Sequence, residues 1–251
     1  SYSFGSVARF RVNVFMQKGE FAAAMRLIPT NIRTLDELGH PQVLHNFTRS
    51  SQGFFLVVGP SGQGKSTTLA AMIDEINHQR AGHIVTIEDP IEYLFQNDKA
   101  IIDQREIGQD TKSFHIALRS VLRQDPDVIM VGEMRDTETI SAAITAAETG
   151  HLVFSTLHTN NASQTIDRII DSFPPAQQSQ IKAQLAGTLL GVLSKRLIPM
   201  IDGGRVGAFE FLIANSAVRN LIREGKTHQI DLVIETSAEE GMISLNRSLA
   251  N

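Results

Sequence analysis

From Gly53 onward, short apolar runs alternate with longer stretches at helical spacing, and this alternation restricts the fold more than any other feature. Phe54–Val58, His83–Glu88, Val128–Val131 and Leu152–Thr156 read as strands, most of them apolar throughout, as strands covered on both faces are. Helical spacing fills the intervals at Lys65–Gln79, Ser113–Arg123 and Thr137–Thr149. In the last of these Ile140, Ala143, Ile144 and Ala147 share one face, and Gly150 is a stop signal. Two further helices, Ala162–Ser172 and Ala176–Leu193, are expected around Pro174-Pro175. Repeated strand–helix–strand units predict an α/β fold, a parallel sheet with helices on both faces.

The first segment follows a different period. Phe10, Val12 and Val14 alternate with Arg11, Asn13 and Phe15, and a Lys18-Gly19 turn leads into a second apolar run. This predicts the last hairpin of another sheet, ending at Leu27, with Ile28-Pro29-Thr30 opening a linker over 28–33. The start, SYSFGSVARFRV, has no Met and no signal-peptide layout, and is expected to be an internal piece of a longer chain. The 251 residues hold no cysteine, which removes disulfides, thiolate-bound zinc and cysteine nucleophiles. With net charge −4 and no long Lys/Arg cluster, the electrostatic footprint of a nucleic-acid binder is missing. No apolar run reaches the ~18 residues of a membrane span.

Between the first strand and first helix of the α/β region stands Gly59-Pro60-Ser61-Gly62-Gln63-Gly64-Lys65-Ser66, which fits G-x-x-x-x-G-K-[ST]. Glycines let successive N–H groups curl around phosphate oxygens, and the helix beginning at Lys65 adds its positive end. The expected phosphate-binding set is Ser61, Gly62, Gln63, Gly64, Lys65, Ser66 and Thr67. Lys65 would reach the β- and γ-phosphates, Ser66 would hold Mg²⁺, and Thr67 would lie near the α-phosphate. Hydrolysis further requires a group that orients water for in-line attack. The strand Val128–Val131 is followed at once by Gly132-Glu133, which puts Glu133 at the carboxyl edge of the sheet, where ligands of such folds bind. Glu133 is assigned to the attacking water. In TIEDPIE (Thr86–Glu92), Glu88 is expected to reach the metal through water, with Asp89 bracing the loop. His158, closing the strand of HLVFSTLH (His151–His158), is assigned to sensing the γ-phosphate. His151 at the other end is a weaker candidate for the same role.

Taken together, GPSGQGKS, VTIEDPIEYLF, DPDVIMVGEMRD and TGHLVFSTLHT resemble the four boxes of the secretion-type ATPases of type IV pili and type II secretion, in the family's order. The resemblance covers essentially the whole chain. It implies a RecA-like core over 34–251, a PAS-like domain of which 1–27 is the end, and carboxyl-terminal helices cut short. It also implies ATP and Mg²⁺ as cofactors and a cytoplasmic homo-hexamer, peripheral to the inner membrane at the pilus base. Its partners would be the inner-membrane platform protein and, indirectly, pilin, with no nucleic acid and no membrane insertion. AVRNLIREGK (Ala217–Lys226) and RFRVNVF resemble the PilT-type retraction ATPases. The absence of cysteine separates the chain from relatives that carry a four-cysteine module. In this family arginines of the amino-terminal domain reach the nucleotide phosphates, a role that falls on Arg11 and Arg26; Arg105, Arg119 and Arg123 are weaker candidates for subunit contacts. Val218, Leu221 and Ile222 are expected to pack one face of a helix that turns Arg219 and Arg223 outward. A pilus-assembly or type II secretion ATPase stays open as the alternative, and more remotely a nucleic-acid translocase. A GTPase would need the absent N-K-x-D, and a small-molecule kinase leaves the acidic and histidine boxes unexplained.

Overall fold

The alternating first segment builds a small sheet of its own. The computed structural model describes residues 2–4, 8–28 and 31–250. Strands β1 (Tyr2–Phe4), β2 (Ala8–Gln17) and β3 (Glu20–Ile28) pair antiparallel in that order. At the β2–β3 turn Lys18 and Gly19 take φ of 53° and 85°, a two-residue hairpin geometry whose twist suits the flanking strands. Residues directly opposite share a face. Phe10–Leu27, Val12–Met25, Val14–Ala23 and Met16–Phe21 therefore line an apolar face, while Arg11 sits opposite Arg26 on the other. Pro29 and Thr30, the centre of the expected linker, lie outside the described residues.

In the rest of the chain, α1 (Leu44–Thr48) and β4 (Gly53–Val58) lead into α2 (Lys65–Gln79), β5 (Gly82–Glu88) and β6 (Ala100–Glu106). Then come α3 (Phe114–Val121), β7 (Val128–Val131), α4 (Thr137–Glu148), β8 (Leu152–Leu157), α5 (Ala162–Asp171) and α6 (Pro175–Thr188). The chain continues with β9 (Leu189–Pro199), β10 (Arg205–Ile213), α7 (Ser216–Glu224), α8 (Ile230–Thr236) and α9 (Leu245–Ala250). The sheet order is β10-β9-β4-β8-β7-β5-β6. All neighbours are parallel except β10, which runs antiparallel to β9 as an edge strand. The expected parallel sheet is thus a mostly parallel one.

Period-two alternation along β4 explains the layers. Phe54, Leu56 and Val58 face one core with residues of α3–α8, whereas Phe55 and Val57 face the other with Leu44 and Phe47 of α1 and Leu69, Met72 and Ile73 of α2. In the second core the Phe55 ring lies 4.9 Å from Phe47 and 6.1 Å from Phe154, centroid to centroid, within the range of favourable aromatic contact. Caps define helix starts: Asp136 accepts from Thr139 N at 2.8 Å, and Asn215 from Val218 N at 3.0 Å.

Two expectations are corrected here. The helix expected over Ala176–Leu193 stops at Thr188, and Leu189 turns extended (φ −60°, ψ 128°) to begin β9. An apolar run such as LLGVL fits a buried strand as well as a helix; Gly191 marks the strand, since a Cβ there would stand 2.7 Å from Leu212 O. Strands β1, β6 and β10 have no counterpart among the expected elements.

Arg219 also does not face outward. It is half-buried and donates to the carbonyls of Ala186, Gly187 and Leu189, and to Ala214 O. Three of these close the carboxyl end of α6, where carbonyls lack helical partners. Arg223 is exposed, as expected, and Val218 and Ile222 are fully buried. We expect Arg219→Ala to lower stability by about 2–4 kcal/mol through the orphaned carbonyls, and Arg223→Ala to change it by less than about 0.5 kcal/mol. Urea denaturation of the two variants measures the contrast.

Candidate nucleotide site

Parallel pairing in register brings four separate motifs to one edge. Val58 pairs with Leu157, Ser155 with Val131, and Val131 with Ile87. The P-loop after β4, Glu133 after β7, Glu88 ending β5 and His158 after β8 consequently emerge side by side, at the carboxyl ends of neighbouring strands. His151 precedes β8, at the opposite edge; its Nδ1 lies 2.9 Å from Ala146 O. That placement removes it from the γ-phosphate role.

A cavity of about 1000 Å³ opens over this edge. Ser61, Gly62, Gly64, Lys65, Ser66 and Thr67 line it, and so do Glu88, Asp89, Glu133 and His158. The loop's conformation needs its glycines: Gly59, Gly62 and Gly64 have φ of 143°, 78° and 78°, values that L side chains rarely adopt. At Gly59 a Cβ would also stand 2.5 Å from Lys195 O. Gln63 plays a bracing part. Its Oε1 accepts from Leu197 N at 2.6 Å and ties the loop to β9.

Lys65, 8% exposed, donates to Gly59 O at 2.7 Å and Pro60 O at 3.0 Å. Burial lowers its pKa, against the opposing pull of Glu133 and Glu92. From Lys65 a polar chain runs across the cavity floor. Lys65 Nζ lies 3.4 Å from His158 Nδ1, His158 Nε2 lies 3.2 Å from Glu133 Oε1, and Arg135 Nη2 lies 2.7 Å from Glu133 Oε2. A neutral His158 fits this chain, accepting at Nδ1 and donating at Nε2. Burial and then the Lys65 charge do lower its pKa. Burial pushes the Glu133 carboxyl up, but the Arg135 hydrogen bond and charge, with His158 and Lys65, outweigh it and hold the pKa below the ordinary value. Glu133 is therefore an ionised carboxylate at neutral pH.

Glu88 is buried, and burial raises its pKa. Its Oε1 accepts from Thr86 Oγ1 at 2.8 Å and Gln104 Nε2 at 3.2 Å, and its Oε2 from Glu92 N at 3.3 Å. Gln104 also donates to Tyr93 O at 2.8 Å and accepts from Phe95 N at 2.9 Å, so β6 clamps the acidic loop. Tyr93 in turn meets Thr67, OH to Oγ1, at 3.0 Å.

Across the cavity from the P-loop stand Arg11 and Arg26, both lining it from the hairpin. They are cross-strand partners. Like charges directly opposite each other destabilise a sheet, a cost that an anion between them would relieve. Arg105 instead donates to Gln124 Oε1 at 2.6 Å on the exposed side of β6, and Arg119 and Arg123 are exposed; none of the three lines the cavity. Residues not anticipated there are Arg33, Tyr93, Arg135, Lys195 and Arg205. Arg135 had a signal in its place two residues after Glu133. Lys195 and Arg205 had none, because the strands that carry them were not foreseen.

A glycine-bent anion nest at a helix start, a lysine within it and an ionised carboxylate at the adjoining strand end define a P-loop nucleotide site. Comparison with known proteins places the chain further. The family model "Type II/IV secretion system protein" matches residues 5–204, and the chain belongs to this family. It is 52% identical over 250 residues to a twitching motility protein of Neisseria gonorrhoeae, covering 99% of this chain and 67% of that one. It is 49% identical over 249 residues to the type IV pilus retraction ATPase PilT of Pseudomonas aeruginosa, covering 99% of this chain and 72% of that one. The crystal structure of the pilus retraction motor PilT with bound ADP superimposes with a TM-score of 0.89 at 50% identity, covering 99% of this chain and 75% of that one. No helix among the described residues is long and apolar enough to cross a membrane.

Proposed function

We propose that this chain is an ATP-hydrolysing motor that powers retraction of type IV pili. The observation that carries the ATPase reading is the convergence on one cavity of the P-loop, the ionised Glu133 and the opposed Arg11–Arg26 pair. Retraction rests on the similarity, over 99% of the chain, to a twitching motility protein and a retraction ATPase.

In this reading the amides of Ser61–Thr67 and the Lys65 ammonium hold the triphosphate, and Glu133 orients and polarises the attacking water. His158, bridging Lys65 and Glu133, links the γ-phosphate to that carboxylate. Arg11 and Arg26 neutralise charge that builds on the transferred phosphoryl group. The donors fit Mg²⁺, a hard cation that takes oxygen ligands and keeps several waters. Ser66 is exposed on the first turn of α2, and Glu88 is a buried carboxylate on the same cavity, its pKa raised by burial. Ser66 would hold the ion directly and Glu88 through water, and the ion would supply neutralising charge to the phosphates.

Because the arginines and the P-loop belong to different sheets, exchanging ATP for ADP would shift the hinge between those sheets. Six such hinges in a homo-hexameric ring would drive a platform protein stepwise and, through it, pilin, at the cytoplasmic side of the inner membrane. Cells lacking the protein are expected to keep surface pili, in excess, and to lose twitching. Cells without pili would instead identify an assembly motor.

A further inference from the structure

Lys195, on β9 beneath the P-loop, has no part in the hydrolysis described above. Its residue is 3% exposed. Its Nζ donates to Thr68 Oγ1 at 3.1 Å, lies 3.4 Å from His40 Nε2, and stands 5.7 Å from the centroid of the Phe209 ring. All three neighbours are neutral: burial, and then Lys195 itself, pushes the His40 pKa down to about 3. Among the described residues no carboxylate forms an ion pair with Lys195. Of the charged groups lining the same cavity nearby, Arg33 repels it, and Glu37 and Arg205 make no hydrogen bond or ion pair with it among the described residues. A buried ammonium with neutral partners is costly unless an opposite charge completes it.

The position points to that charge. Thr68, which accepts the hydrogen bond from Lys195, lies in the first turn of α2 and also donates to Gly64 O at 3.1 Å. A Cβ on Gly64, the last glycine of the P-loop, would stand 3.4 Å from Lys195 Nζ. The ammonium therefore backs the phosphate nest from the β9 side, as Lys65 lines it from within.

We propose that Lys195 is a positioning residue for the nucleotide: its charge, set behind the first turn of α2, is matched by the phosphates in the P-loop, so that nucleotide binding draws a proton onto Lys195. The inference rests on the nucleotide-site reading. Burial, and then Arg33, pushes the Lys195 pKa down to about 8. A nearby anion favours the charged form and raises the pKa in the complex. Affinity is then full below that pH and falls as pH rises through it, by about tenfold between pH 7 and 9.

Calorimetric titration of Mg-ADP at about pH 8.5, in two buffers of different ionisation enthalpy, counts the protons taken up. Wild type is expected to take up about half a proton or more beyond Lys195→Gln and Lys195→Met. Uptake at Lys65 is common to all three and cancels. Both variants should bind Mg-ADP about five- to tenfold more weakly at pH 7, with a flatter dependence on pH. Equal proton uptake and superimposed affinity profiles would overturn the proposal. Should neither variant fold, Lys195→Arg decides, because it keeps the charge but does not titrate in this range: proton uptake below that of wild type supports the role, and uptake equal to wild type overturns it. Failure of wild type to bind Mg-ADP at any pH would remove the nucleotide site itself and this role with it, an outcome distinct from binding without linkage.

Discussion

Replacing Glu133 by Gln is expected to stop turnover while leaving nucleotide in place. The carboxylate sits at the end of β7, 21% exposed, held by Arg135 on one oxygen and His158 on the other. A glutamine has nearly the same shape but neither the charge to polarise water nor a second acceptor oxygen. Positioned acid–base groups contribute about 10²–10⁴-fold to rate, so phosphate release should fall by about that factor. Binding of ATP should hold or tighten, because a negative charge beside the phosphates is removed. Lys65→Met separates the two steps, since it withdraws a cation from the nest and should weaken binding itself. A Glu133→Gln protein that hydrolyses ATP at the wild-type rate would end the assignment.

The second large effect is expected at the arginine pair. Arg11→Ala or Arg26→Ala should each lower ATPase activity of the assembled ring by about 10²–10³-fold, somewhat below the range of arginines that stabilise phosphoryl transfer directly. Neither change should lower stability by more than about 0.5 kcal/mol, because both side chains are exposed and each removal relieves a like-charge contact across β2 and β3. Stability held and turnover lost is the signature of a charge placed for a substrate. Turnover unchanged in assembled rings of both variants would return the pair to the ordinary surface, and a large loss of stability would make it structural.

Much of this site is legible in the sequence because each motif follows a buried strand. Phe54–Val58, Val128–Val131 and Leu152–Thr156 are largely apolar runs too short for an ordinary helix, and parallel pairing of such strands carries their ends to one edge. Register then places Glu133 and His158 beside the P-loop without further information. His151 misleads for the same reason. It flanks the strand as closely as His158 does, but at the wrong end.

The less legible part is the far side of the sheet. Leu189–Pro199 was hidden because its apolar residues continue the helical spacing of α6; only Gly191, needed against Leu212 O, breaks the pattern. With β9 unseen, Lys195 could not be placed under the P-loop. Arg219 shows another limit. Helical spacing puts it beside the buried Val218, but whether a long cation there reaches water or a neighbouring helix end depends on where α6 stops. Gln104 is silent in the sequence too, since β6 carries few apolar residues and its clamp on Glu88 arises only on pairing with β5.

The central claim is that backbone amides around Lys65 enclose the triphosphate while Glu133 directs the hydrolytic water. A crystal structure of the closed ring with Mg²⁺ and a non-hydrolysable ATP analogue tests it most directly. The account predicts, in at least one protomer, a Glu133 oxygen about 2.6–3.2 Å from a water lying in line with the γ-phosphorus. Glu133 still locked to Arg135 and turned from the γ-phosphate in every protomer, with the water held by another group, would contradict it.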